Sequence, residues 1–590
     1  SASSLKAGET LSVTAGGDIV LQTQNEQHNA ERMHTSIKRK VASTTVEKRI
    51  DGYEQGLAIG SMLSGNTVAV KGNNVTVSGS AVVADNTLRL DAAQNLNIVA
   101  AEQQQSEFHL QEKTKSGLMS SGGIGFTVGK SMQRTTAQAQ GVTHAASTVG
   151  SIGGDVTLNA GKQLNVDSSD LVAANNLELS GAQVNVRALH DQFSQQQVTE
   201  TRTSGLTIGL SGSVGSALNS AVQAAQAARQ EDDNRLQALQ GTKAALHGAQ
   251  ALQAYRLDNA QQGTPDASNA SIGVSASYGS QSSKRTDISG QQVSQSSGLT
   301  AGNNLSIRAR GDNGEAGDIT ISGSQLKAGG DVNLSAERDV NLQSAQDSQY
   351  LRSENKSQGG SVGVGITVGN GSAGISFSAS ANMSKGHERG NGTSHNETTV
   401  TAGNQLSISS GRDTSLTGAQ ASGDSVKLDV GRNLSLKSEQ DSDQYDSKQQ
   451  SLSVSGSFTY GSMSVSGQLD ASQEKMHSDY QSVREQTGIQ AGKGGYDIQV
   501  GAHTQLDGAV IASEAEAEKN RLDTGTLGFS NIENRAAYDV EQQQISISAN
   551  AVNDLINLAN SALGAMNRSD SDNGTTQAAI SAGTLTVRDN

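Results

Sequence analysis

The sequence predicts an all-β fold, a parallel β-solenoid of about 20–21 residues per coil with long antiparallel hairpin insertions and minor helix. Three observations predict it. Short apolar-polar-apolar triplets recur: between Leu406 and Leu436 they are Leu406-Ser-Ile408, Thr414-Ser-Leu416, Val426-Lys-Leu428 and Leu434-Ser-Leu436, starting 8, 12 and 8 residues apart. Each triplet alternates with the strand period of two and is bounded by Gly, Asn or Asp, as very short strands between turns are. Such a strand covers its apolar face only if the next period stacks on it about 4.8 Å away. The composition agrees: 590 residues with 34% hydrophobic residues, 67 Gly, one Pro and no Cys or Trp suit a narrow interior of Val, Ile, Leu and Ala rather than globular α/β packing. Finally, long insertions of one design interrupt the triplets.

The net charge of −15 disfavours nucleic acid as a partner, because phosphate binding needs clustered Lys and Arg. The absence of Cys removes disulfides and thiolate metal sites and is compatible with secretion in an extended state. There is no signal peptide and no apolar run of membrane-helix length. The first residues, SASSLKAG, already lie in the repeat pattern, so the chain reads as a piece of a longer one.

Taken in order, Leu11-Ser-Val13 and Ile19-Val-Leu21 stand 8 apart. Val75, Leu88 and Leu96 open triplets spaced 13 and 8, and Ile319, Val332 and Val340 repeat the same 13 and 8. Val156, Leu164, Leu177 and Val184 give 8, 13 and 7, and Ile498 is followed 8 later by Leu506. Asn or Asp precedes many triplets (Asp18, Asn74, Asn95, Asp155, Asn176, Asn304, Asp331, Asp339, Asn433) and is expected to turn the chain and to ladder between coils. The Gly-Gly-Asp turns at Gly16, Gly153 and Gly329 never complete a calcium-binding nonapeptide, so turn chemistry explains them. This reading makes residues 1–540 one rod.

The insertions fall near residues 25–66, 103–152, 191–298, 344–398 and 439–487. Loops this long are usually functional or carry structure of their own. Four share a plan in which a polar leg leaves the rod, a Gly-punctuated alternating strand follows, and a second strand returns. In the fourth, Val362, Val364, Ile366 and Val368 are followed after NGSAG by Ile375 and Phe377 in phase. Val454, Phe458 and Tyr460 facing Val465 repeat the design, as do Ile124, Phe126 and Val128, and Leu206 and Ile208 with Val274 and Tyr278. These are the candidate membrane- or partner-contacting positions. Apolar alternation over about nine residues is what a tilted outer-membrane strand needs. The alternatives are that the hairpins cover the rod's flank, dock a partner, or pair edge to edge; outside a membrane the strands are expected to lie as a sheet against each other or the rod, hiding Ile366, Phe377, Phe458 and Tyr460 from water. The first insertion is basic and lacks the Gly-rich tip. Residues 217–257 form a helical candidate inside the third.

No catalytic constellation emerges. His387-Glu388 with His395 lies in a Gly- and Asn-rich leg, where a solvated segment is expected rather than a metal site. No GxSxG elbow precedes a helix, and no cofactor is implied. Residues 541–590 read as a C-terminal extension or cap, with a short amphipathic helix over 545–563.

The AGNNLSI and AGNQLSI coils at Ala301 and Ala402, the Gln/Asp-rich exits into Gly/Ser strands, and the segment KNRLDTGTLGFSNIENRAAYD from Lys519 to Asp539 carry a resemblance. Residues 1–540 are similar to the haemagglutinin-repeat region of filamentous-haemagglutinin-type two-partner-secreted exoproteins. They most resemble the contact-dependent growth inhibition toxin-delivery proteins of Gram-negative bacteria, the CdiA type. The resemblance implies a right-handed parallel β-helix in an exoprotein secreted to the cell surface. It also implies a non-enzymatic role in carrying a C-terminal toxin across the target cell's outer membrane. The implied partners are an outer-membrane secretion partner, a toxin domain in cis, and the target outer membrane or a protein in it.

Overall fold

The computed structural model describes residues 2–120, 125–211, 272–311, 316–369, 372–461, 463–549 and 563–589. The short alternating triplets form two parallel sheets, of 22 and 11 strands, that wrap one axis. The larger sheet carries two strand columns, which merge where Ala419–Val430 and Gly488–Val500 run through both. One coil is therefore three strands, as in Ala81–Ala84, Leu88–Ala92 and Leu96–Val99. Equivalent residues stack in register, Val75 on Leu96 and Leu164 on Val184, and they reproduce the 20–21-residue period.

The in-pointing residues of the triplets fill the interior. Val75, Leu88, Leu96, Ile98, Leu158 and Leu164 are all 0% exposed and belong to one continuous core. Outside it, the Asn and Asp before the strands form ladders as expected. Asp18 accepts hydrogen bonds from Asn73 and Asn74, and Asn74 accepts from Asn95. Farther along, Asp339 accepts from the amide of Asp413, and Asp413 from Asn433 and Arg432.

The corner that leads from the third strand of one coil to the first strand of the next has two forms, and they alternate. In one form the corner is a tight turn on a left-handed residue: Gly79 (φ 52°), Ser168 (φ 44°), Gly323 (φ 54°), Gly418 (φ 59°) and Gly508 (φ 55°). Glycine is favoured there because a side chain strains that backbone region. At Ser168 the strain is offset by the hydroxyl, which donates to the Gln295 carbonyl and accepts from the Leu189 amide. In the other form the corner opens into a hairpin. Hairpins leave after Ile19–Leu21, Leu96–Val99, Gln183–Arg187, Val340–Gln343, Leu434–Lys437 and Thr526–Ser530, which is every second coil.

The hairpin strands are, in order, Gln24–Lys40 with Ser43–Ile59, Ala101–Ser120 with Phe126–Ala145, Leu189–Ser211 with Ile272–Gln295, Ala345–Gly369 with Ser372–Asn396, Asp441–Tyr460 with Ser464–Ser482, and Ile532–Ala549 with Leu563–Thr576. Their 12 strands pair side by side into one antiparallel sheet. The alternation of corners makes this possible. Two coils rise about 9.6 Å, and two hydrogen-bonded strands occupy about 9.6 Å of sheet width. One hairpin per two coils therefore lets each hairpin meet the next without stretching or crowding.

Three expectations change. The first insertion, basic and without a Gly-rich tip, is a hairpin of the same sheet, because edge pairing uses backbone groups and not tip composition. Ile545–Ala549 is not helical: Ile545 and Ile547 alternate with Ser in a strand paired to Ala471 and Leu469, so a period-two pattern wins over the helical spacing beyond it. A sixth hairpin thus follows Asn531, and the last strands, Ala579–Ile580 and Thr584–Val587, return to the rod. Among the described residues the helical content is one 3-10 turn, Ala517–Lys519. The helical candidate over 217–257 lies outside the described residues.

Candidate functional site: the distal face of the hairpin sheet

The apolar positions of four different hairpins come into one register. Phe126 lies opposite Ile208, Ile208 opposite Ala276, Ala276 opposite Val364, Val364 opposite Phe377, Phe377 opposite Phe458, and Phe458 opposite Val465. Directly opposed residues of an antiparallel pair point to the same side, so these seven side chains form one row across seven strands. Two residues away on the same face a second row runs through Val128, Leu206, Tyr278 and Val362. A third, on the tipward side, runs through Val274, Ile366, Ile375 and Tyr460. Val454 shares the face by the period of two. Val368 pairs with Ile272 and Ala373 farther out, and Ile124 lies outside the described residues.

The opposite face of the same region is Gly, Ser and Thr. Thr127 and Thr207 share a hydrogen bond of 2.9 Å, and Ser457 and Ser466 one of 2.6 Å. The sheet is thus amphipathic at its far end, and its apolar side is open to solvent. From Val465 at 37% to Tyr460 at 65%, the named apolar positions are exposed, with Ile208, Ala276 and Phe458 half-buried. This corrects the expectation that pairing would hide Ile366, Phe377 and Tyr460, which are 57%, 53% and 65% exposed. Strand pairing satisfies backbone groups at the edges; it covers neither face of a single-layer sheet. A strand of 25 residues such as Ala345–Gly369 spans about 80 Å at 3.3 Å per residue, so the face is held well away from the rod.

Three sets of residues that sequence reasoning missed hold this sheet in place. At the bases of the first five hairpins, the Ser or Thr that re-enters the rod donates to the carbonyl near the departure point. Ser61 reaches Gln22 (2.9 Å), Ser147 Val99 (2.7 Å), Ser297 Arg187 (2.9 Å), Thr398 Gln343 (2.6 Å) and Thr487 Lys437 (2.9 Å). The signal was available as a Ser or Thr just before the first strand of these coils. At three roots between hairpins, a carboxylate or amide on the outgoing strand accepts from a backbone amide at the end of the preceding hairpin: Asp347 from Ser294, Asp441 from His395, and Asn534 from Val483. At four seams an aromatic residue sits directly opposite a glycine of the neighbouring hairpin: Phe108 and Gly52, Phe193 and Gly141, Tyr350 and Gly290, Tyr445 and Gly390. For Phe193, Tyr350 and Tyr445 the ring lies over the space the glycine leaves open, which favours one register over a slipped one.

His395, read as a solvated residue, is mostly buried at the root between the fourth and fifth hairpins, where its Nδ1 lies 3.2 Å from Asp441. Beside it, burial pushes the Glu397 carboxyl up to about 8, helped by its hydrogen bond to Glu485. Among the described residues, no group of three or more His, Cys, Asp or Glu side chains is arranged to hold a metal ion.

A family model described as hemagglutinin repeat matches residues 54–173, 128–254 and 274–452. The chain is 51% identical over 538 residues to Toxin CdiA of Yersinia pestis, covering 91% of this chain and 16% of that protein. It is 45% identical over 588 residues to Deoxyribonuclease CdiA of Dickeya dadantii, covering 98% and 17%. Against Deoxyribonuclease CdiA of Yersinia pseudotuberculosis it is 51% identical over 533 residues, covering 90% and 49%. The chain thus spans between 16% and 49% of the length of these relatives. No solved structure matches it. From coils and hairpins to sequence identity over most of its length, the chain belongs to the hemagglutinin-repeat family, as a repeat region of the CdiA type.

Proposed function

We propose that this segment acts without catalysis, by bringing the distal apolar face of its hairpin sheet into the outer membrane of a target cell so that a C-terminal toxin can cross. The observation that carries the reading is the in-register apolar face, exposed in water and backed by a Gly, Ser and Thr face. Transmembrane strands alternate in this way, with one side for lipid and one for a polar interior. On this reading the exoprotein is secreted to the surface of a Gram-negative cell by an outer-membrane partner, and the rod holds the hairpins at fixed spacing. The toxin domain is carried in cis, and the nuclease activities in the relatives' names belong to those proteins. A structural adhesin stalk is the competing reading. It is supported by the continuous rod core, and it makes the hairpins dispensable.

Val364→Asp with Ile366→Asp tests the proposal. Carboxylates on a lipid-facing strand cost free energy that depends on depth, at most about 2–4 kcal/mol near the midplane. Secretion and surface display are expected to be unchanged and toxin delivery abolished. Normal delivery by a correctly displayed double variant would leave the stalk.

A further inference from the structure

On the apolar side of the hairpin sheet, rootward of the apolar rows, one row of opposed residues crosses nine strands. It reads Lys48, Glu112, Arg134, Glu200, Lys284, Lys356, Lys385, Gln450, Gln473. Its first half alternates in sign and makes ion pairs: Arg134 lies 3.9 Å from Glu112, and Lys284 lies 3.7 Å from Glu200. Its second half sets Lys284, Lys356 and Lys385 directly opposite one another. Like charges so placed destabilise a sheet, because opposed Cβ atoms are only about 5 Å apart. Two residues toward the root, Lys448 lies opposite His387, and two further on Arg352 lies opposite Arg389. The acids nearest on this face are Glu354, opposite His387, and Asp446, opposite Arg389; Asp446 is engaged by His477 at 2.6 Å. Among the described residues, no carboxylate lies within ion-pair distance of Lys356, Lys385 or Lys448. Lys284, Lys356, Lys385, His387, Arg389 and Lys448, with Glu354 as the one acid, line a groove of about 580 Å³. Two residues toward the tip, about 7 Å away, Met383 and Leu452 begin the exposed apolar zone, at 55% and 38%.

A purely structural row would keep alternating, as its first half does. We propose that the second half is a binding groove for the phosphate groups of lipid headgroups, engaged when the apolar zone beyond it meets a membrane. Lys356 and Lys385, directly opposed and free of ion pairs, with Lys284 beside them still held by Glu200, present a cluster of ammonium groups suited to phosphate oxygens. The order along the sheet, apolar tip and then cations, is that of an acyl region and its anionic surface. The inference deepens the membrane reading above and rests on it.

The test uses the purified chain and flotation with vesicles of phosphatidylcholine alone or doped with phosphatidic acid, a phosphomonoester lipid. Inorganic pyrophosphate serves as the soluble arm, and Lys356→Gln/Lys385→Gln and Val364→Asp/Ile366→Asp as variants. Wild type is expected to prefer doped vesicles, and the lysine variant to bind them about thirty-fold more weakly, at about five-fold per cation. Its thermal midpoint should equal or exceed that of wild type, since repulsion is relieved; a lower midpoint would assign the lysines to packing. Equal binding of wild type and lysine variant, or indifference of wild type to doping, overturns the groove. Pyrophosphate stabilising the wild type but not the lysine variant, without any vesicle binding, makes the ligand soluble and overturns the lipid assignment. If the aspartate variant floats as well as wild type while the lysine variant does not, headgroup binding stands and insertion of the tip fails.

Discussion

Removing one coil should damage the hairpin sheet more than removing two coils together with a hairpin. Thr398 stacks on Ala419, so deleting residues 398–418 takes out a single coil and lets Ala419 occupy its place on the rod with every in-pointing position preserved. The fourth and fifth hairpins then leave from adjacent coils, about 4.8 Å apart, while the fourth alone fills about 9.6 Å of sheet. Their seam, which runs over 19 opposed residues from Ile375 and Tyr460 to Thr393 and Ser442, loses its register. At about 0.5 kcal/mol per backbone hydrogen bond, the low end for exposed pairs, the seam is worth on the order of 10 kcal/mol. Deleting residues 398–486 instead removes two coils and the fifth hairpin. It brings Thr487 onto the same stacking position and leaves Asn534 to cap the fourth hairpin where Asp441 does now. Hydrogen exchange read on peptides 375–393 and 442–460 should show lost protection in the small deletion, with the rod peptides unchanged. In the large deletion, 375–393 should stay protected. Protection retained after the small deletion, or lost after the large one, would refute the pitch rule.

Other outcomes follow from the same contacts. Glu397 has a raised carboxyl, so the folded protein binds more protons than the unfolded one between the ordinary Glu value of 4.5 and about 8, and stability should fall as pH rises through that window; Glu397→Gln should flatten this dependence in thermal melts. Replacing Phe108, Phe193, Tyr350 and Tyr445 together with Ala should weaken the seams by about 0.2–1 kcal/mol each, seen as faster exchange in the hairpins with rod protection intact. Thr487→Val keeps the shape but loses the donor to the Lys437 carbonyl and the acceptor for the Ala419 amide, and should cost about 1–3 kcal/mol. Thr487→Ser should restore most of it, as measured by denaturant unfolding.

The rod was legible because its period reports burial directly. Val75, Leu88 and Leu96 recur at 13 and 8 residues, and all three are fully buried. Within single hairpins the alternation from Val362 to Ile375 was legible for the same reason. The seams were not. Phe193 and Gly141 meet across 52 residues, and nothing in a local pattern announces that a lone aromatic will lie over a glycine in another hairpin. The sixth hairpin was hidden because Val552, Leu555, Ile556 and Leu558 carry helical spacing and drew the preceding Ile545-Ser-Ile547 into the same reading. The row of lysines was invisible for a further reason: Lys284, Lys356 and Lys385 become neighbours only when the register of one seam and one hairpin is known.

The most direct test of the central claim exploits a chain without cysteine. A single Val364→Cys carrying a polarity-sensitive fluorophore reports on the distal face, and a single Ser348→Cys reports on the root of the same strand and face. On contact with outer-membrane vesicles from target cells, the label at 364 should move to an apolar environment and become shielded from an aqueous quencher, while the label at 348 stays in water. A protein that binds the vesicles with both labels still fully quenched would contradict membrane entry by the hairpin sheet.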